Sequence, residues 1–198
     1  MPPALAGGVA LLERAVGYTL GCLRLVTDES MGNATPCRDW DLRALLAHLD
    51  DALIALAEAA NLGRVGLDPV APVPGDPAAA VRARAGELLG AWMGEPAAGP
   101  VSVAGAPMTA VVVAGAGALE IAVHGWDVAR ACGHDRPLPP ALAAEMLELS
   151  ALFVTAADRP ERFAAPIAVP AGASAGDRLL AFLGRRACSH SPGLVSRD

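Results

Sequence analysis

Apolar residues recur along this chain at three- and four-residue intervals, in runs separated by stretches rich in Pro and Gly. The clearest run is Leu42, Leu45, Leu46, Leu49, Leu53 and Leu56, which at 3.6 residues per turn forms one stripe on a helix. Asp39 or Asp41 stands where it can cap the free N–H groups of that helix's first turn. A first helix is expected over residues 5–27, despite four glycines, and a third over about 78–93. A fourth is expected to start at Pro107, whose missing N–H suits a first turn, and to run to about Cys132, with Gly133 placed to end it. Pro139 and Pro140 open a fifth, through about Ala157, and residues 177–186 suit a short last one.

The connections are equally legible. Residues 32–37 carry loop chemistry, with Pro36 setting a turn and biasing Thr35 away from helix. Residues 62–77 hold too much Pro and Gly for regular structure. Residues 94–107 form another loop, with room for a short extended piece at Val101 to Val103. Helices joined in this way predict an all-α chain: an antiparallel four-helix bundle with extra C-terminal helical or irregular structure. One domain over residues 1–188 is expected, with 189–198 a polar, frayed tail.

Composition narrows the picture. Of 198 residues, 54% are apolar and only 4% aromatic, so the core must be close-packed Ala, Leu and Val rather than rings. The net charge of −6 gives no electrostatic reason to bind nucleic acid or an anionic membrane, which leaves small molecules or proteins, and a homodimer, as partners. The start of the chain has no basic stretch before an apolar one, so a cytoplasmic protein is expected. The uncharged run 110–119 is too short to span a membrane before Glu120 interrupts it, and reads as a buried helix. Cys22, Cys37, Cys132 and Cys188 form no C-x-x-C pair and are expected to be free, mostly buried thiols, Cys37 lying in a loop. Every basic residue is Arg, a usage typical of GC-rich bacterial genomes.

Three residues stand out chemically. Glu120 and His124 are four apart on the fourth helix, so both leave one face about one turn apart, among apolar neighbours. A carboxylate on an apolar face needs a partner, and a metal ion held with histidines supplies one. His48, inside the leucine stripe, offers a third ligand. Two histidines and a glutamate with an open fourth position make a catalytic zinc arrangement; nickel, iron or manganese also accept these donors. The plain alternative is a hydrogen-bonded core histidine beside a Glu-x-x-x-His spacing that arises by chance on any helix. Asp127 could orient an imidazole or cap a loop, and Asp127 with Arg130 could be a surface ion pair; both are the candidates for a catalytic role.

The stretch from Thr35-Pro36-Cys37 through Trp40 to Leu45-Leu46-Ala47-His48-Leu49, followed by Glu120-Ile121-Ala122-Val123-His124-Gly125-Trp126-Asp127, resembles the metal-binding family typified by the N-terminal domain of mycothiol-dependent maleylpyruvate isomerase. The resemblance in order and spacing covers most of residues 5–186. It implies a DinB-like four-helix bundle, metal ligands at His48, Glu120 and His124, a water on the open metal position and, in thiol-using members, a low-molecular-weight thiol nearby. In an actinobacterial source that thiol would be mycothiol. The isomerase adds a separate C-terminal domain to its active site, so the expected reaction here is a different thiol transfer or thiol-assisted isomerisation of a small electrophile. A thiol-independent hydrolase or cyclase, and a non-catalytic metal- or ligand-binding protein, stand as alternatives.

Overall fold

The computed structural model describes residues 3–37, 39–66, 75–94 and 99–186. The tail at 189–198, Cys188 and residues 67–74, half of the connection at 62–77, fall outside them. Four long helices carry the core: α1 (Pro3–Leu23), α2 (Leu42–Leu62), α3 (Pro77–Met93) and α4 (Ala110–Ala131). Helix α1 packs along α4, α2 packs on both α3 and α4, and α3 also meets α1. Two shorter helices follow, α5 (Pro140–Phe153) and α6 (Ala175–Phe182), which pack on each other. The chain is thus mainly helical, as its periodicity predicts.

Local chemistry sets the boundaries. Asp41 is the N-cap of α2 and accepts from the Ala44 N–H at 2.8 Å, and Gly63 ends that helix in the left-handed region. The first helix stops at Leu23 rather than residue 27. The Ser30 hydroxyl accepts from the Thr27 N–H and donates to the Thr27 carbonyl there, and a separate 3₁₀ turn starts, Asp28–Gly32. Pro107 does not open α4. It lies in β3 (Ala106–Met108), which pairs antiparallel with β2 (Val101–Val103) while β2 pairs parallel with β1 (Arg64–Val65). On an edge strand Pro costs no ladder hydrogen bond, and Thr109 caps α4 instead, accepting from Val112 N–H. Helix α5 ends at Phe153, four residues short of the expected end, where Thr155 and Asp158 form a second 3₁₀ turn. Helix α6 spans Ala175–Phe182, with Ser174 as its cap.

Helix α4 is long and apolar enough to cross a membrane, but 78% of its apolar window is buried inside the protein, as befits a core helix. Small residues let its neighbours come close. A Cβ at Gly125 would collide with Thr19 of α1, and one at Gly117 would lie 2.6 Å from Leu56 of α2. In the space so left, the Thr19 hydroxyl donates to the Ile121 carbonyl at 2.8 Å. The three leucines of α2 nearest His48 in the stripe, Leu45, Leu46 and Leu49, are fully buried, which locks that helix face against the core. The consequence for function is that α2 and α4 are rigidly placed where His48, Glu120 and His124 emerge.

Candidate metal centre

The three predicted ligands meet. His48 Nε2 lies 2.6 Å and His124 Nε2 3.1 Å from the same Glu120 oxygen, Oε1, and the donor atoms of all three residues fall within 4.8 Å of one another. Two imidazole nitrogens aimed at one carboxylate oxygen form a set that suits zinc and similar divalent ions. The side chains of His48 and Glu120 keep 37% and 35% of their exposure, so solvent reaches the set, whereas His124 is buried. The donor chemistry therefore fits a metal with an accessible coordination position.

The charges are balanced to hold this arrangement. Burial would raise the Glu120 carboxyl, but the charge of His124 and hydrogen bonds from both histidines outweigh it and hold the group well below the carboxylate range. Burial likewise disfavours charge on His124, yet Glu120 on one side and Asp127 on the other raise its imidazole well above the ordinary value. A divalent ion would take the place of those protons.

Behind His124 sits Asp127, which sequence reasoning offered either as an imidazole partner or as half of a surface ion pair with Arg130. It is fully buried, and its Oδ2 accepts from His124 Nδ1 at 2.9 Å. The ion pair with Arg130 is not formed: Arg130 stacks over Trp126 at 5.9 Å and approaches Asp135 at 4.0 Å, outside the cavity wall. Asp127 pairs instead with Arg185, whose Nε and Nη2 reach its two oxygens at 2.7–3.1 Å. Burial would raise the Asp127 carboxyl, but the Arg185 charge and the His124 hydrogen bond keep it depressed. Cys37 completes this side, its thiol 3.4 Å from Asp127 Oδ2, 3.7 Å from His124 Nδ1 and 3.3 Å from Arg185 Nη2. Cys37, His124 and Asp127 also cluster as potential ligands, but a guanidinium already supplies their positive charge.

The loop before α2 brings Cys37 and Trp40 to the site. Thr35 N–H donates to the Trp40 carbonyl at 3.1 Å, Leu42 N–H to Asn33 O at 2.9 Å, and the Asn33 side chain to Ala131 O at 2.9 Å, which ties the loop to the end of α4. Trp40 then lies against His48, ring centroids 4.7 Å apart. A cavity of about 810 Å³ opens over His48, Glu120 and His124. Its far wall comes from Phe153, at the end of the expected fifth helix, from Phe163 and from residues 183–185, which fall in the short last helix that the sequence suggests; no chemical signal marked any of them.

The family described as the mycothiol maleylpyruvate isomerase N-terminal domain matches residues 12–129, more than half of the chain. The chain belongs to this family. The match takes in His48, Glu120, His124 and Asp127 and ends before α5 and α6. Two uncharacterized proteins, from two strains of Mycobacterium tuberculosis, are each 28% identical over 181 residues, 87% of this chain and 94% of theirs. No solved structure matches significantly. The family thus accounts for the bundle and its donor set, while the cavity's far wall lies outside the matched segment.

Proposed function

We propose that this chain, read as one domain over residues 1–188, is a metal-dependent enzyme of small-molecule metabolism that holds one divalent ion, zinc first, through His48, Glu120 and His124. The observation that carries the proposal is the convergence of two imidazole Nε2 atoms on Glu120 Oε1 at the floor of a cavity of about 810 Å³. Bound there, the ion would supply Lewis acidity and lower the pKa of a water or thiol at its open position. His48 and His124 bind as neutral imidazoles, Glu120 offsets part of the dication's charge, and Asp127 fixes the His124 ring through Nδ1.

The favoured reaction is a thiol-dependent S-transfer or isomerisation on a small electrophile, with mycothiol as co-substrate, which the family's description supports. A volume of this size falls at the roomy end of small-molecule sites and accommodates two reactants together. The aromatic surfaces of Trp40, Phe153 and Phe163 suit the apolar body of the electrophile. Exposure of His48 and Glu120 toward solvent favours this reading over a purely structural metal, whose coordination shell would be closed.

The test is calorimetric titration of mycothiol and of glutathione into zinc-loaded and metal-free protein, with a conjugation assay over enones, epoxides and activated thioethers. Metal-dependent mycothiol binding with turnover is expected. Absence of binding at millimolar thiol would overturn the thiol reading and leave a thiol-independent hydrolase or cyclase, which the apolar half of the cavity wall would serve.

A further inference from the structure

We infer that Arg185 is a positioning residue for His124, acting through Asp127, so that a residue far outside the family match completes the site begun by the bundle. For its metal-affinity consequence the inference rests on the proposed ligand set; for its effect on the His124 ring it rests on geometry alone.

The chain of contacts is short. Arg185 is almost fully buried, with 10% side-chain exposure, and Asp127 has none. Arg185 Nε lies 2.9 Å from Asp127 Oδ1 and 3.1 Å from Oδ2, and Nη2 lies 2.7 Å from Oδ2. This two-nitrogen grip fixes both the position and the plane of the carboxylate, which a single donor would leave free to rotate. The same Oδ2 accepts from His124 Nδ1 at 2.9 Å. An imidazole whose Nδ1 proton is held in this way presents Nε2 to the other side, where Glu120 Oε1 stands 3.1 Å away.

Charge leads to the same conclusion. An ionised carboxylate without exposure is costly unless a cation compensates it, and His124 would no longer supply that charge once its Nε2 served a metal. Arg185 supplies it permanently. The guanidinium is itself held in place: Arg185 N–H donates to Leu180 O at 2.8 Å, and Gly184 takes a left-handed turn, φ 78°, against Ala164 where a side chain would clash. Arg185 therefore reaches Asp127 from a built turn rather than from a free arm.

The experiment uses the full chain and compares Arg185→Ala, Arg185→Lys, Asp127→Ala and the double variant Asp127→Ala, Arg185→Ala with the parent. Zinc affinity is read by competition with a chromophoric chelator, and the His124 ring nitrogens by long-range proton–nitrogen NMR of the metal-free protein. Arg185→Ala should lose about 10- to 100-fold in zinc affinity, the range for partners that orient a ligand. Arg185→Lys, a point charge without the fork, should fall between it and the parent. The double variant should be no weaker than Asp127→Ala alone, because both act through one contact.

Arg159→Ala is the control. Arg159 secures the same wall by donating to Phe182 O at 2.6 Å and stacking on the Phe182 ring, without touching Asp127. It should leave zinc affinity unchanged. Parental affinity in Arg185→Ala, equal loss in Arg159→Ala, or additive losses in the double variant would each overturn the inference. If the parent binds no zinc, the metal reading fails separately and the ring spectra decide: a slowly exchanging Nδ1 proton in the parent, lost in Arg185→Ala, supports the inference, and unchanged spectra overturn it. Should Arg185→Ala not fold, Arg185→Lys carries both readouts.

Discussion

The bundle and the C-terminal wall make opposite contributions to one cavity. The bundle, α1 to α4, is apolar inside, helical and held by interdigitated Leu, Ala and Gly, and it contributes every proposed ligand. The wall, residues 153–185, is mostly loop, held by Arg159 on the backbone carbonyls of Ala164 and Phe182 and by the Arg185–Asp127 ion pair, and it contributes volume, aromatic surface and Arg185. Donors that must keep their spacing to a fraction of an ångström sit on the rigid elements; groups that shape what enters sit on the irregular one.

The largest effect should come from breaking the bundle's half of the site. The parent should carry about one zinc per chain, and a His48→Ala, His124→Ala double variant should carry none, by elemental analysis. Glu120→Gln should weaken binding without abolishing it, since the amide keeps an oxygen but loses the charge. Full occupancy in the double variant would sink the ligand assignment. Wall substitutions such as Phe163→Ala should leave zinc content intact while altering substrate affinity.

Packing differs between the regions in the same sense. Gly125→Ala drives a methyl into Thr19, one position from His124, and should destabilise by about 1–3 kcal/mol, as overpacking of a close helix contact does. Gly172→Ala, on the wall side with open space at its Cβ, should stay within about 0.5 kcal/mol of the parent. Urea unfolding of both variants checks the contrast. Equal costs would mean that the wall is packed as tightly as the bundle.

The pH dependence sharpens the role of the cluster. In the metal-free protein His124 is raised above its ordinary 6.5 and Glu120 lowered below its ordinary 4.5. The contribution of Glu120 is present above about pH 4.5 and lost as pH falls through its depressed folded value. That of His124 is full below about pH 6.5 and lost as pH rises through its elevated folded value. The cluster thus stabilises the chelated protein most between those two values and less at alkaline pH. Zinc must displace these protons, so its stabilisation grows as pH rises. Melting temperatures of loaded and chelated protein should therefore diverge from pH 6 to pH 9, with both remaining helical by circular dichroism. Convergence over that range would contradict the arrangement.

How much of this was legible beforehand follows the same division. The α2 stripe announced itself because every third or fourth residue is Leu, and a Glu-x-x-x-His spacing on α4 necessarily puts both side chains on one face. The family motifs then joined His48 to them, which spacing alone left open. Pro107 misled because Pro suits a helix start and an edge strand equally, and only pairing with β2 decides between them. Arg185 was invisible. Its partner lies 58 positions away, and nothing periodic marks a turn residue that reaches back into a core.

The smallest expected effect on the metal site itself belongs to Arg130, which sequence proximity made a candidate beside Asp127. Arg130 stacks over Trp126 at 5.9 Å and faces Asp135 at 4.0 Å, with 25% side-chain exposure. A partly exposed cation on an aromatic ring contributes about 0.5–1 kcal/mol, and an exposed ion pair of that length about 0–1 kcal/mol. Arg130→Ala should therefore cost on the order of 1 kcal/mol in urea unfolding while leaving zinc affinity and thiol binding at the parental level. Arg185→Ala should show the reverse emphasis, because its guanidinium grips the carboxylate that holds a proposed ligand. The two arginines stand 3 and 58 positions from Asp127, and the nearer one in sequence is the one outside the site. A loss of zinc affinity in Arg130→Ala comparable to that in Arg185→Ala would show that Asp127 responds to charge on α4 at large rather than to one directed contact. The division between a bundle that supplies ligands and a wall that tunes them would then have to be redrawn.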